Sequence, residues 1–262
     1  MGLTTPDVRQ RSLFPLLLLL ACGSGAAALI YEVVWFQVLE LVIGSSAVSI
    51  AALLATFMGG TCLGSTIFPR LVSNRRDPLR VYAVIEIGIA ALGILLLVLM
   101  PLVGGTYTSW SGYGLSGFLL RGMVAAACLL PPTLLMGATL PALARTLPPT
   151  SSVSRLGGLY AANILGAVFG CLLAGFYLLR QYDGSTATFI AAAMNLAVAG
   201  VALLPVESRP LPEALEQSAG NVQTERSRNR DVALAIALSG FCALAAETIW
   251  TRVLGLVFGG SV

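Results

Sequence analysis

Seven stretches of this chain, at about 17–43, 48–68, 80–103, 118–146, 156–180, 185–205 and 232–258, stay apolar for the length a helix needs to cross a bilayer. That feature leaves little freedom of fold. A backbone in hydrocarbon has no water to bond to, so each stretch must satisfy its own N–H and C=O groups, and a helix does so. With 57% of residues hydrophobic and 10% charged, a soluble core is excluded. The expected fold is an all-α, polytopic membrane helix bundle.

The basic residues orient that bundle. All fifteen are Arg, and twelve fall in alternate loops: Arg9 and Arg11 before the first span, Arg70, Arg75, Arg76 and Arg80 after the second, Arg145 and Arg155 after the fourth, and Arg209, Arg226, Arg228 and Arg230 after the sixth. Such loops face the cytoplasm. The N-terminus and the 206–231 linker are therefore predicted to be cytoplasmic, in a protein of the inner or plasma membrane. On the opposite side the 104–117 loop carries no basic residue, and Arg180 stands beside Asp183.

Residues 24–46 return as residues 239–261, at a constant offset of 215. SGAAALIYEVVWFQVLELVIGSS becomes SGFCALAAETIWTRVLGLVFGGS, and twelve of these 23 positions are identical. Seven of them (25, 28, 29, 32, 35, 39 and 42) follow the three-and-four spacing of one helix face. The identical face is expected to pack and the variable face to meet lipid. The packed face of each copy then carries a carboxylate, Glu32 or Glu247. Arg9 and Arg11 before LFPLLLLLACGSG, with Leu19-Leu20-Ala21-Cys22 inside it, have the look of a secretory signal. The same helix recurs internally, where no signal could act, so the expectation is a retained first span.

Six spans separate the two copies, an even number, so the copies run in the same direction through the membrane. Parallel six-helix halves joined by a cytoplasmic linker are the plan of major facilitator transporters. The expected organisation is a cytoplasmic tail over 1–16, a six-helix membrane repeat over 17–205, a linker over 206–231 and the first helix of a second repeat over 232–262, where the chain stops one helix into its second half. The linker (VESRPLPEALEQSAGNVQTERSRNRD) is polar and charged, with a short helix expected to open at Pro212.

Absences narrow the chemistry. Without Lys there is no retinal Schiff base, and without His no Ser-His intramembrane protease, His-ligated haem or His metal site. Cys22, Cys62, Cys128, Cys171 and Cys242 lie in apolar spans with no CxxC spacing, and read as small packing residues rather than disulfides or ligands. No catalytic residue, metal ligand or cofactor is expected, and the partners are a lipid bilayer and a cationic small molecule, with no nucleic acid.

Helix association in lipid depends on small residues, since lipid tails are as apolar as the helices. Ala162, Gly166, Gly170 and Ala174 form such a stripe in span five, and Gly60 and Gly64 another in span two. Both are expected to be packing seams. In span four, Pro131-Pro132 and Pro141 bracket TLLMGATL, with Gly137 inside it. Each Pro removes a backbone donor and clashes with the preceding turn, so the helix is expected to kink or open at Pro131, Pro132, Gly137 and Pro141, as the broken helices of transporters do at substrate sites.

The candidate binding residues are the polar groups within the spans: Glu32, Glu86 and Glu247, with Asn163 and Asn195. A carboxylate at that depth costs roughly 2.5–3.5 kcal/mol to insert and is expected to face the bundle and find a partner. Taken together, SGAAALIYEVVWFQVLELVIGSS, LATFMGGTCLGSTIFPRL, LRVYAVIEIGI, MGATLPALAR, LGGLYAANILGAVFGCLLAGFYLL and AAAMNLAVAG resemble the membrane part of the fused major-facilitator-like and spermidine-synthase-like proteins. That resemblance implies a second set of spans and often a cytosolic aminopropyltransferase domain, and it implies polyamines as the solute class. The alternative it carries is a membrane anchor for that enzyme, with no solute passing. The loop between spans two and three, Gly64-Ser-Thr-Ile-Phe-Pro69-Arg70, lacks the Asp of true major facilitators.

Overall fold

A computed structural model describes residues 5–43, 47–72, 77–110, 115–147, 153–204 and 226–257. Among them there are seven helices and no strand. Helix α1 spans Thr5–Ile43, α2 Ala47–Leu71, α3 Pro78–Trp110 and α4 Leu115–Ala144. Helix α5 runs over Val153–Gln181 and contains a π-helical segment, Leu173–Leu178. Helix α6 spans Gly184–Ala202 and α7 spans Arg226–Val257. Five of the seven are long and apolar enough to cross a membrane, through Leu13–Leu39, Pro78–Leu99, Ala126–Ala144, Val153–Gln181 and Gly184–Ala202, and α7 carries a shorter apolar stretch, Val232–Glu247. The architecture is compatible with an integral membrane protein. Helix α1 already begins within the expected tail, and α7 within the expected linker; most of that linker, Pro212 included, lies outside the described residues.

Helix α1 is the hub. It packs along much of its length on α5 and α6 and also touches α2, α3 and α4. The contact with α5 is made through backbone: Gly166 lies against the Cys22 carbonyl, Gly170 against the Ala26 carbonyl, and Gly25 of α1 against the Asn163 carbonyl. The small-residue stripe of span five is therefore a close seam. A side chain at any of these glycines would hold the two backbones apart, which is why the stripe tolerates only small residues.

This central position corrects the expected division of α1 into a packed and a lipid face. Ala26, Ala27, Ile30, Tyr31 and Val34 differ between the two copies of the repeat, yet all five are buried. The physical reason is the number of neighbours. A helix flanked by five others has little surface left for lipid, so variation there reflects different partners rather than acyl chains.

The second pair, α2 and α4, closes in the same way. Gly60 meets the Thr133 side chain, Gly64 the Leu134 carbonyl, and Gly137 of α4 the Thr61 carbonyl. Of the kink or opening expected at Pro131, Pro132 and Pro141, an opening is not seen: α4 is helical without interruption from Leu115 to Ala144. Around it, α2 approaches closely along Gly60, Gly64 and Gly137, and the Thr133 hydroxyl donates to the Leu129 carbonyl at 2.8 Å and lies 3.1 Å from that of Leu130.

Arg80, Arg145 and Arg155 gather at one end of the bundle. The Arg145 guanidinium, just beyond α4, donates to the Val72 and Pro69 carbonyls at 3.1 and 3.3 Å and lies 4.8 Å from the centre of the Phe68 ring. It thereby caps the carbonyls that α2 leaves unbonded at its C-terminus. Partial burial lowers its pKa, but a guanidinium stays charged. Arg155 at the start of α5 lies over Phe14 at the start of the α1 span, and Arg80 pairs with Asp77 before α3. At the opposite end Asp183 caps α6 by accepting from the Thr186 N–H at 3.0 Å.

Candidate functional site

The polar residues of the spans sort into two groups on different sides of α1. Glu32 and Glu247 form the first. Glu32 is buried at 6% exposure with Trp35 beside it on the helix at 3%, while Glu247 lies exposed on α7. The charge of Glu247 reaches Glu32, and both carboxylates act on the Cys171 thiol of α5. The last helix itself packs on α2. Cys171 directly precedes Leu172 and the π-helical segment, a local widening of the helix that inserts one residue into the turn and re-aims the side chains beyond it. Neither Cys171 nor the π segment was legible beforehand: the thiol reads as one more small apolar residue, and the extra residue of a π turn leaves no mark on an apolar sequence.

The second group lies between α1, α3 and α6. Its register follows from two contacts. The Tyr82 hydroxyl of α3 donates to the Leu20 carbonyl of α1 at 3.1 Å, and the Tyr31 ring of α1 lies against Gly93 of α3. Both contacts pair residues 62 apart, so the two helices run parallel and Glu86 falls level with Ser24. Ser24 and Tyr82 are close enough to Glu86 to interact with it. Even so, the Tyr82 proton goes to Leu20, and neither Glu86 oxygen makes a hydrogen bond. Glu86 is completely buried, at 0% exposure.

Asn195 joins this level from the third helix. Gly23 of α1 lies against Val198 of α6, and Val34 against Gly184, so α6 runs antiparallel to α1 and Asn195, one turn before Val198, stands about level with Ser24. Its side chain is buried at 1%, and Oδ1 has no hydrogen-bond partner. The Tyr31 hydroxyl, stacked above on Trp35 with ring centres 5.0 Å apart, is likewise without one. Asn163 belongs to neither group. It sits in the α1–α5 seam, where its carbonyl and side chain meet Gly25.

The remaining candidates carry less chemistry. Pro131, Pro132, Gly137 and Pro141 lie in an unbroken helix, and Gly137 lies against the Thr61 carbonyl of α2. All five Cys are free; Cys62, Cys171 and Cys242 are exposed and Cys22 and Cys128 partly so. Among the described residues no group of His, Cys, Asp or Glu is arranged to hold a metal in the manner of a ligand cluster. Compared with protein families, with characterised proteins and with solved structures, the chain finds no match.

Proposed function

We propose that this chain is a transporter-like membrane module that handles polyamines or other organic cations, built as a six-helix major-facilitator-like half followed by the first helix of a parallel second repeat. The observation that carries the reading is the recurrence of an intramembrane carboxylate, Glu32 and Glu247, with the charge of the second acting on the first. Two carboxylates near one another in a low-dielectric setting repel, and a ligand with ammonium groups relieves that repulsion while each carboxylate offsets part of its charge. The repeat adds symmetry: matched residues of parallel repeats sit at matched depth, which suits a solute with two cationic ends. The family that the sequence resembles supplies a second set of spans and a cytosolic aminopropyltransferase as partners.

The orientation that goes with this reading has the N-terminus and the 206–231 linker in the cytoplasm. The Arg-bearing ends of α2, α3, α4 and α5 gathered on one side support it. A reporter inserted at Gly220 is expected to be inaccessible to an impermeant label in intact cells, and external labelling would reverse the topology.

Spermidine binding and uptake by the full-length protein in proteoliposomes test the function. Glu32→Gln and Glu247→Gln keep hydrogen-bonding capacity and remove only charge, so each variant is expected to fold and to bind spermidine at least about tenfold more weakly, the effect of losing about 1.4 kcal/mol. Unchanged binding and flux in both single variants and in the double variant would defeat solute handling and leave a membrane-anchor role.

A further inference from the structure

The interior between α1, α3 and α6 holds buried oxygens that no donor meets in hydrogen-bond geometry. Four buried side-chain atoms lack hydrogen-bond partners among the described residues: both oxygens of Glu86, Oδ1 of Asn195 and the Tyr31 hydroxyl. Three of these four are acceptors, and by the registers above Glu86 and Asn195 both stand at about the level of Ser24. Leaving a buried polar group unmet is costly, and more so for a charge. An arrangement that leaves several unmet side by side is explained by something they bind together.

Among the described residues, no side chain of the surroundings is shown to supply the missing positive charge. The spanning segments of α1, α4 and α6 contain no basic residue. That of α3 contains Arg80, which lies at the helix end, is largely exposed and pairs with Asp77. Glu32 lies eight residues further along α1 than Ser24, about 12 Å at 1.5 Å per residue, so the Glu86 level is a place apart from the Glu32–Glu247 pair.

We propose that Glu86, Ser24 and Asn195 form a buried binding site for a small monovalent cation, with sodium the chemistry that fits best. All the donors are hard oxygens, the kind that hold alkali and alkaline-earth ions rather than transition metals. One carboxylate supplies one negative charge, so a monovalent ion leaves the site neutral whereas a divalent ion would leave net charge in hydrocarbon, at high cost. A proton on Glu86 would neutralise the carboxyl but would leave Asn195 Oδ1 and the second carboxyl oxygen as they are; a coordinated cation engages them all. The site goes beyond the solute reading and does not rest on it.

The test is thermal unfolding of the full chain in detergent, titrated with sodium chloride against choline chloride at constant ionic strength and fixed pH, together with binding of radioactive sodium. Sodium is expected to raise the melting temperature saturably where choline does not. Glu86→Gln is expected to raise the half-saturating sodium concentration at least tenfold, Ser24→Ala and Asn195→Leu several-fold, and Glu32→Gln to leave it unchanged. Should Glu86→Gln fail to fold, the Ser24→Ala titration and sodium binding to the unaltered chain decide the matter. Identical melting in sodium and choline, a sodium effect that survives in Glu86→Gln or in Ser24→Ala, or stabilisation by acid with none by sodium would each overturn the proposal, the last in favour of a protonated carboxyl.

Discussion

Replacing Gly166 by Ala puts a methyl group into the α1–α5 seam, and the structure sets the size of the penalty. The added carbon would meet the Cys22 carbonyl carbon at 2.6 Å and its Cα at 2.8 Å, with the carbonyl oxygen closer still. Carbon atoms rest about 3.5–4.0 Å apart, so the helices must part locally by about 1 Å. The obstacle is backbone of another helix rather than the end of a movable side chain. Overpacking here therefore falls at the upper end of its usual range, about 3 kcal/mol. Ala improves helix propensity over Gly by about 1 kcal/mol, leaving a net loss of about 2 kcal/mol. For a chain of this size that is a fall of roughly 4–8 °C in melting temperature. Gly157 of the same helix is the control, since nothing lies within 4 Å of a carbon added there, and Gly157→Ala should keep the propensity gain and raise the melting temperature. Thermal unfolding in detergent followed by tryptophan fluorescence reads both variants. A Gly166→Ala protein as stable as the Gly157→Ala protein would refute the close seam.

The same comparison applies to the second pair of helices: Gly64→Ala is expected to destabilise by about 2 kcal/mol, and Gly59→Ala, with open space around it, to be neutral or better in the same melting assay. Arg145→Met removes two hydrogen bonds to the end of α2 and the contact with Phe68; a loss of about 1–2 kcal/mol and faster proteolysis at that end are expected, with Arg145→Lys intermediate. Asp183→Ala removes the cap of α6. Hydrogen bonds from the Thr186 hydroxyl and N–H hold the Asp183 pKa below its ordinary 3.8. A depressed folded-state value means that the stabilisation is complete above pH 3.8 and is lost as pH falls through the lowered value. The stability gap between wild type and Asp183→Ala, measured by melting across that range, should be constant above it and narrow below.

The helices were legible because length and apolarity alone specify them in a membrane, and the seams at Gly60, Gly64, Gly166 and Gly170 were legible because only an absent side chain lets two backbones touch. What faces lipid was not. In a soluble protein the buried side of a helix is apolar and the exposed side polar, but on α1 both sides are apolar. The variable positions Ala26, Ile30 and Val34 read like lipid-facing residues and are core. The prolines of α4 show a related limit: the sequence offers a kink or an opening there, and the helix is continuous, with α2 packed closely against it at Gly60, Gly64 and Gly137.

The polar residues show where that limit falls for function. Sequence places Glu32 and Glu86 alike, as carboxylates inside apolar spans, and an insertion cost of roughly 2.5–3.5 kcal/mol applies equally to both. Only the register between helices separates them. An offset of 62 between α1 and α3 sets Glu86 beside Ser24 and beneath Tyr31, whereas the spacing of the repeat, carried into space by α7, sets Glu32 toward Glu247. A slip of α3 by one turn along α1 would move Glu86 away from Ser24 and Asn195 and leave the hydropathy of every span unchanged. Relative helix position is thus what turns two similar glutamates into an open carboxylate pair and a sealed oxygen-rich level, and the Leu20–Tyr82 hydrogen bond and the Tyr31–Gly93 contact are the two points that fix it.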